Sequence, residues 1–302
     1  MISQIYIGRA LWTAWCLFGI MLSFTFSVGL CGLLLRAIWV KVVYLCSFHV
    51  IWSLGLSALC YASLTGPPTL PKQFYLPKEV AALLPNEKSE RIEEGVMELC
   101  VQVVRERALQ VSVEQDDGGT SSVNVCVLCA CIKPLRCHHC TRCGCCMLRM
   151  DHHCDFLGVC VHVGNHKAFL LFLLYMLMES VFVMGVGGPP IVTNLLNIIQ
   201  VDQQQKAILP ALVCVAVGYL TAYGFHQFLL LCAPLHASIL LTNRTTLERM
   251  KKNEPDYSLG SAQLNWECIF GRNRFLWLLP IDTRTDDGVS YCHIFSSLKK
   301  NS

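Results

Sequence analysis

Four long apolar runs decide most of what this chain can become. Ala10 to Leu35 carries no charge and no proline. Val42 to Leu64 follows with His49 inside it, and Arg36 and Lys41 bracket the short turn between the two. A third run goes from Ala168 to Val186 and stops at Gly187-Gly188-Pro189-Pro190, and a fourth from Ala207 to Leu241. A helix needs about 20 apolar residues to cross a bilayer. One such run is compatible with a buried core helix; four of them predict four transmembrane helices. Only 15% of the residues are charged, against roughly 25% in a soluble domain, which excludes a disordered chain. The first run is too long for a signal-peptide core and lacks its basic start and small-residue cleavage site. The fourth is too long for one straight span, so its helix is expected to leave the bilayer near Pro234.

The remaining chain divides around these runs. Residues 1–65 hold the first two spans, 66–167 a polar loop, 168–241 the last two spans and 242–302 a polar tail. Within the loop, Glu87 to Gln110 predicts a charged amphipathic helix and Asp116 to Ser122 a flexible linker. Basic residues near the membrane orient the chain better than long loops do. With the N-terminus inside, the cytosolic flanks hold Arg9, Lys72, Lys167, Arg244, Arg249, Lys251 and Lys252; the outer flanks hold Arg36, Lys41 and Lys206. The balance places the loop and both termini in the cytosol. A net charge of +3 gives no reason to expect nucleic acid as a partner.

Ten of the nineteen cysteines fall between Cys126 and Cys160. A disulfide scaffold would spread them through a small secreted chain; clustering in a loop on the reducing side points to metal ligands or reactive thiols. The pattern is Cys126-x2-Cys129, then His139-Cys140-x2-Cys143-x2-Cys146, then Asp151-His152-His153-Cys154, then Cys160. Zinc takes four sulfur and nitrogen ligands in a tetrahedron. The ligands here exceed the need of one ion, so two zinc ions are the natural count. Asp151, His152 and Cys154 have the makings of a thiolate nucleophile, its base and an orienting carboxylate. A third group of zinc ligands is the other reading, and spacing alone does not choose.

These motifs resemble the DHHC family of protein S-acyltransferases (palmitoyltransferases). The match runs from Cys126-x2-Cys129 through Lys133-Pro134-x-Arg136 and Asp151-His152-His153-Cys154 to Cys160, Asn165 and Phe169. Beyond the fourth run, Thr245-Thr246-Leu247-Glu248 resembles the family's TTxE motif, and Asn265-Trp266 to Phe270-Gly271 its C-terminal motif. The resemblance implies an all-α membrane protein, four transmembrane helices with a cytosolic two-zinc Cys-rich domain (126–169) between helices 2 and 3. It implies one structural zinc on Cys126, Cys129, His139 and Cys146, and another on Cys140, Cys143, His153 and Cys160. Cys154 becomes the nucleophile, His152 the base and Asp151 its orienting group, with Thr246 against Asp151. Capping of a helix start by the threonines and Glu248 is an equally physical reading of that motif. The implied reaction moves a long-chain acyl group from acyl-CoA (palmitoyl-CoA), through acyl-Cys154, to cysteines of membrane-associated proteins. Lys133, Arg136 and Arg149 are candidates for the CoA phosphates; solvated loop charge is the plainer account.

Four positions depart from the family pattern. Asp155-Phe156 stands where Pro-Trp is usual, Val159 for Asn and His162 for Gly. Phe156 keeps a ring for the acyl chain. Asp155 puts a carboxylate beside Cys154, which disfavours the thiolate unless the side chain turns to water or to a basic partner. A weak or inactive zinc-stabilised membrane adaptor is therefore the alternative function. Glu179 sits deep in the third run, where carboxylates usually face the bundle; it is expected at the tip of the acyl cavity or in a hydrogen bond to a neighbouring helix. His49, His226 and His236 read as packing or interhelical groups. Lys299-Lys300-Asn301-Ser302 looks like a dilysine retrieval signal, pointing to the endoplasmic reticulum or Golgi, or is simply a solvated basic end.

Overall fold

A computed structural model describes residues 37–85, 92–115, 120–198, 209–251 and 255–291. The expected first span and the terminal Lys299–Ser302 motif lie outside the described residues. In chain order come α1 (Ile38–Leu64), α2 (Lys78–Ala81) and α3 (Glu94–Glu106). Eight short strands follow: β1 (Val113–Gln115), β2 (Ser121–Val123), β3 (Val125–Cys126), β4 (Cys131–Ile132), β5 (His138–Cys140), β6 (Cys145–Met147), β7 (His152–Cys154) and β8 (Val159–Val161). Then come α4 (His166–Ile198), α5 (Leu209–Thr242), α6 (Thr246–Met250) and α7 (Ala262–Phe270).

Three helices among the described residues are long and apolar enough to cross a membrane: α1, the His166–Met184 part of α4 and the Ala222–Thr242 part of α5. α4 packs against both α1 and α5. Gly55 of α1 lets the backbones close in, since a Cβ there would stand 3.2 Å from Cβ of Tyr175. The third helix does not stop at Gly187; it continues to Ile198. Likewise α5 runs unbroken through Pro234 to Thr242. In hydrocarbon a broken helix exposes backbone groups with no water to meet them, so Gly and Pro are tolerated inside spans where they end helices in water.

The all-α expectation holds for the spans and fails for the Cys-rich domain. That domain consists of two-stranded antiparallel hairpins, β1–β2, β3–β4, β5–β6 and β7–β8. Strand β2 takes in Ser121 and Ser122, which had been read as linker. The expected amphipathic helix is shorter than its pattern, Glu94–Glu106, and buries Val96, Cys100, Val101, Val103 and Val104 along one face. It packs on the β1–β2 hairpin and shares a core with Phe74, Leu76, Ile132 and Leu148. A second core joins Ala58, Leu59 and Ala62 of α1 to Leu157 and Val161 of the Cys-rich domain, Phe169 and Phe172 of α4, and Ile269 and Phe270 of α7.

Candidate active site

Hairpin register sorts the cysteines and histidines. Successive side chains on a strand point to opposite faces. In β5–β6, His139 stands opposite Cys146, while its neighbour Cys140 turns the other way. In β7–β8, His153 stands opposite Cys160, so His152 and Cys154 share the reverse face. Two quartets result, Cys126/Cys129/His139/Cys146 and Cys140/Cys143/His153/Cys160, each with its ligand atoms within 4.8 Å of one another.

Their spacing fits a tetrahedral metal. Ligand lengths of about 2.3 Å for sulfur and 2.0–2.1 Å for nitrogen put S and N about 3.6 Å apart, and two S about 3.8 Å apart. The Sγ to Nδ1 distances are 3.5, 3.3 and 4.0 Å from His139 to Cys126, Cys129 and Cys146. From His153 they are 3.5, 3.4 and 3.6 Å to Cys140, Cys143 and Cys160, and Cys143 Sγ lies 3.6 Å from Cys160 Sγ. Each quartet can hold one metal ion with no position left open. Of the cysteines outside the quartets, Cys131 is fully buried and its Sγ lies 3.8 Å from Cys146 Sγ; a thiol there lies against a metal ligand.

The reverse face of β7 carries the reactive groups. His152 Nδ1 lies 2.7 Å from Asp151 Oδ2, and its ring shares the strand face of Cys154. Asp151 is fully buried and accepts from Thr246 N at 2.8 Å and Thr246 Oγ1 at 3.1 Å. Burial alone would raise its pKa, but the bond from His152, the nearby His166 and the Thr246 amide hold it well below the carboxylate range. For His152, burial pulls the pKa down; the bond to Asp151, the neighbouring Cys154 sulfur and the Asp151 charge outweigh it and push it up to about 9. Thr246 thus meets Asp151, while Thr245 caps α6 in a reciprocal box with Glu248, so both readings of that motif hold.

Cys154 packs on the core shared by α1 and α4. The His152 ring meets Phe169 of α4 edge-on at 5.5 Å, and Phe169 meets His236 of α5 at 5.2 Å. Phe156 stacks on Phe172 at 5.8 Å. Asp155 turns away from the thiol: 75% exposed, it pairs with Arg142 and lies 3.9 Å from His153 Nε2.

Arg136 requires a correction. It is buried, and four of its five donors are already used. Nε and Nη2 grip Glu248 at 2.6 and 2.9 Å, Nη2 also donates to Asn243 O at 2.7 Å and Nη1 to Asn243 Oδ1 at 3.3 Å. Its guanidinium stacks over Tyr257 at 4.4 Å. A phosphate has no access to it. Arg149 is buried too, donating to Asn243 Oδ1 at 2.9 Å and His166 Nδ1 at 2.8 Å, with Asp286 at 3.1 Å. These residues lock the Cys-rich domain to the ends of α4 and α5 and to the tail. Lys133 alone of the three stays half-exposed.

Sequence reasoning missed Asn243, Asn265 and Asp286 as parts of this lock. Asn265 donates to Leu241 O at 2.7 Å, closing the end of α5. Gly271, with φ +78°, passes so near Thr283 O that a Cβ would stand 2.0 Å from it. Glu179 is on α4 with Oε2 buried and unpartnered among the described residues. His226 meets Ser180 Oγ at 3.0 Å across helices, and His49 bonds its own helix at Leu45 O.

Known proteins are similar to this chain in sequence. A family profile for DHHC palmitoyltransferase matches residues 120–253. Human palmitoyltransferase ZDHHC20 is 30% identical over 257 residues, 83% of this chain and 66% of that protein. Palmitoyltransferase ZDHHC15 of Xenopus laevis is 31% identical over 258 residues, 83% and 72% of the two chains. A probable protein S-acyltransferase 12 of Arabidopsis thaliana is 32% identical over 182 residues, 59% and 61%. The chain thus spans about two thirds of the human and plant relatives' lengths. With two Cys/His quartets, the Asp151–His152 pair beside Cys154 and similarity along most of its length, the chain belongs to the DHHC palmitoyltransferase family.

Proposed function

We propose that this protein is a protein S-acyltransferase that works through an acyl-Cys154 intermediate. The observation that carries the reading is the hydrogen-bonded Asp151–His152 pair on the same strand face as Cys154, whose thiol is off both metal quartets and against the α1–α4 core. His152 takes the Cys154 proton, and Sγ attacks the thioester carbon of an acyl-CoA. The C–S bond to CoA breaks, and CoA leaves as the thiol with that proton. In the second half His152 deprotonates a substrate cysteine, whose sulfur takes the acyl group and frees Cys154. Asp151 holds Nδ1 and stabilises the imidazolium in both halves. Two zinc ions on the quartets would supply structure, since neither leaves a position open for substrate.

The substrates are membrane-associated proteins with cysteines on the cytosolic face, the side where these thiols stay reduced. We place the 66–167 loop and both termini there, with four spans in a membrane of the endoplasmic reticulum or Golgi. The acyl chain runs down past Phe156 and Phe172 toward Glu179, and Lys133 is the remaining basic side chain for CoA. The test is incubation of purified protein with a labelled acyl-CoA. Hydroxylamine-sensitive label on the wild type, absent from Cys154→Ser and strongly reduced in His152→Ala, is expected. An unlabelled wild type would favour the adaptor reading instead.

A further inference from the structure

We propose that Asp155 is an outer clasp of the second metal quartet, holding His153 and the Cys140-x2-Cys143 knuckle together around the ion. This residue departs from the family pattern, a carboxylate where Pro is usual, and the fold gives that carboxylate a partner on each side. Successive residues on a strand alternate faces. Asp155 stands one residue past the end of β7, so it returns to the side of His153 and leaves Cys154 on the other. The β7–β8 turn that carries it is closed by Gly158 N donating to Cys154 O at 2.9 Å.

His153 meets Cys140, Cys143 and Cys160 with Nδ1, at 3.5, 3.4 and 3.6 Å. A ring that gives its Nδ1 lone pair to a metal carries its proton on Nε2, and here Nε2 lies 3.9 Å from Asp155 Oδ1. The same oxygen pairs with Arg142, which stands between the ligands Cys140 and Cys143. The quartet draws two ligands from this knuckle and two from the β7–β8 hairpin, and Asp155 reaches both pieces. A carboxylate on the far side of a ligating imidazole fixes the ring's tautomer and orientation and raises its basicity. At 3.9 Å and 75% exposure it acts through a charge that water screens, so the low end of the usual effect, about tenfold, is expected. Asp155 pairs with no ligand of the first quartet, so its loss should loosen one ion and not the other. The ion it retains is the one whose ligand His153 directly precedes Cys154.

The inference rests on zinc filling both quartets, as proposed above, and the experiment separates the two. Full-length wild type, Asp155→Ala and Asp155→Glu are purified in detergent and their zinc is counted. Excess EDTA is then added together with N-ethylmaleimide, and the cysteines alkylated over time are read by peptide mass spectrometry. Cys140, Cys143 and Cys160 report the second quartet, and Cys126, Cys129 and Cys146 the first. In Asp155→Ala the second-quartet cysteines should be alkylated about tenfold faster than in wild type, with the first quartet at the wild-type rate. Asp155→Glu, which keeps the charge on an exposed turn, should return close to the wild-type rate. Second-quartet rates in Asp155→Ala equal to those of wild type would overturn the clasp and leave the zinc assignment standing. So would a variant in which both quartets open faster together, since that is a general loss of structure. A wild type holding fewer than two zinc ions would overturn the zinc assignment itself, and the clasp with it.

Discussion

Asp155 shows how a charge beside a nucleophile is made harmless. Its carboxylate pairs with Arg142, held on the Cys140–Cys143 knuckle, and otherwise faces solvent. Removing Arg142 leaves that carboxylate with only His153 beside it and free to swing toward the neighbouring Cys154. A unit charge about 4 Å away through water is worth about 1 kcal/mol, so Arg142→Ala should slow acyl-enzyme formation by no more than about fivefold. The double variant Arg142→Ala with Asp155→Ala should recover the rate. The time course of hydroxylamine-sensitive label measures both, and a slow double variant would refute the offset. At this scale the sequence was only partly readable. Spacing left open whether Cys154 was a ligand or a nucleophile. Strand alternation keeps Cys154 out of the quartets, since His153 and Cys154 are neighbours on β7 and face opposite ways. The clue was present in the doublets His139-Cys140 and His153-Cys154, which cannot both serve one ion from a strand. Arg136 was illegible in a different way: its partners Asn243 and Glu248 lie more than a hundred residues along the chain, and no local pattern marks a loop arginine as buried.

At the scale of elements, strands of two or three residues cannot hold a hairpin unaided. Metal on the two quartets would supply the stability that β3 to β8 lack, as in other small metal-held units. The protein should contain two zinc ions per chain by elemental analysis. Chelation should abolish acyl-enzyme formation and β-structure signal together while α1, α4 and α5 keep their helicity by circular dichroism; metal-free protein that still labels would contradict this. The lock between elements carries its own expectation. Arg136, Arg149 and Asn243 all sit at positive φ, +63°, +46° and +51°, an uncommon conformation for such residues that their shared bonds sustain. Burial raises the Glu248 pKa, but Arg136 overrides it and keeps the carboxylate charged. Arg136→Ala strands that charge, and breaking a buried pair on one side costs about 3–5 kcal/mol. Thermal unfolding in detergent should fall accordingly. Arg136→Lys should recover little, because an ammonium cannot grip both Glu248 oxygens and Asn243 at once.

Over the molecule, hydropathy located the three long apolar helices among the described residues, since lipid demands one pattern, but not their ends. Gly187 looks like a stop only by rules learned in water, and α4 runs past it. The hairpin domain was hidden because its strands are two or three residues long and carry no periodic pattern of their own. What the assembled bundle adds is a depth scale. Phe169 meets the ring of His152, and Glu179 lies ten residues further along α4, about 15 Å down its axis. A hydrocarbon core is about 30 Å thick, so one leaflet's chains end near that same depth. One turn beyond Glu179, Val183 joins Tyr44 and Phe48 of α1 and Tyr219 of α5 in a packed aromatic cluster. An acyl chain descending from Cys154 would therefore reach Glu179 as its last neighbour before that plug. A carboxyl with a buried, unpartnered oxygen makes a poor contact for further methylenes and a firm limit on length. Glu179→Ala should shift acyl-CoA preference toward longer chains, with zinc content and label at Cys154 retained. Competition between saturated acyl-CoAs of graded length reads the shift directly, and an unchanged profile would remove Glu179 from the end of the cavity.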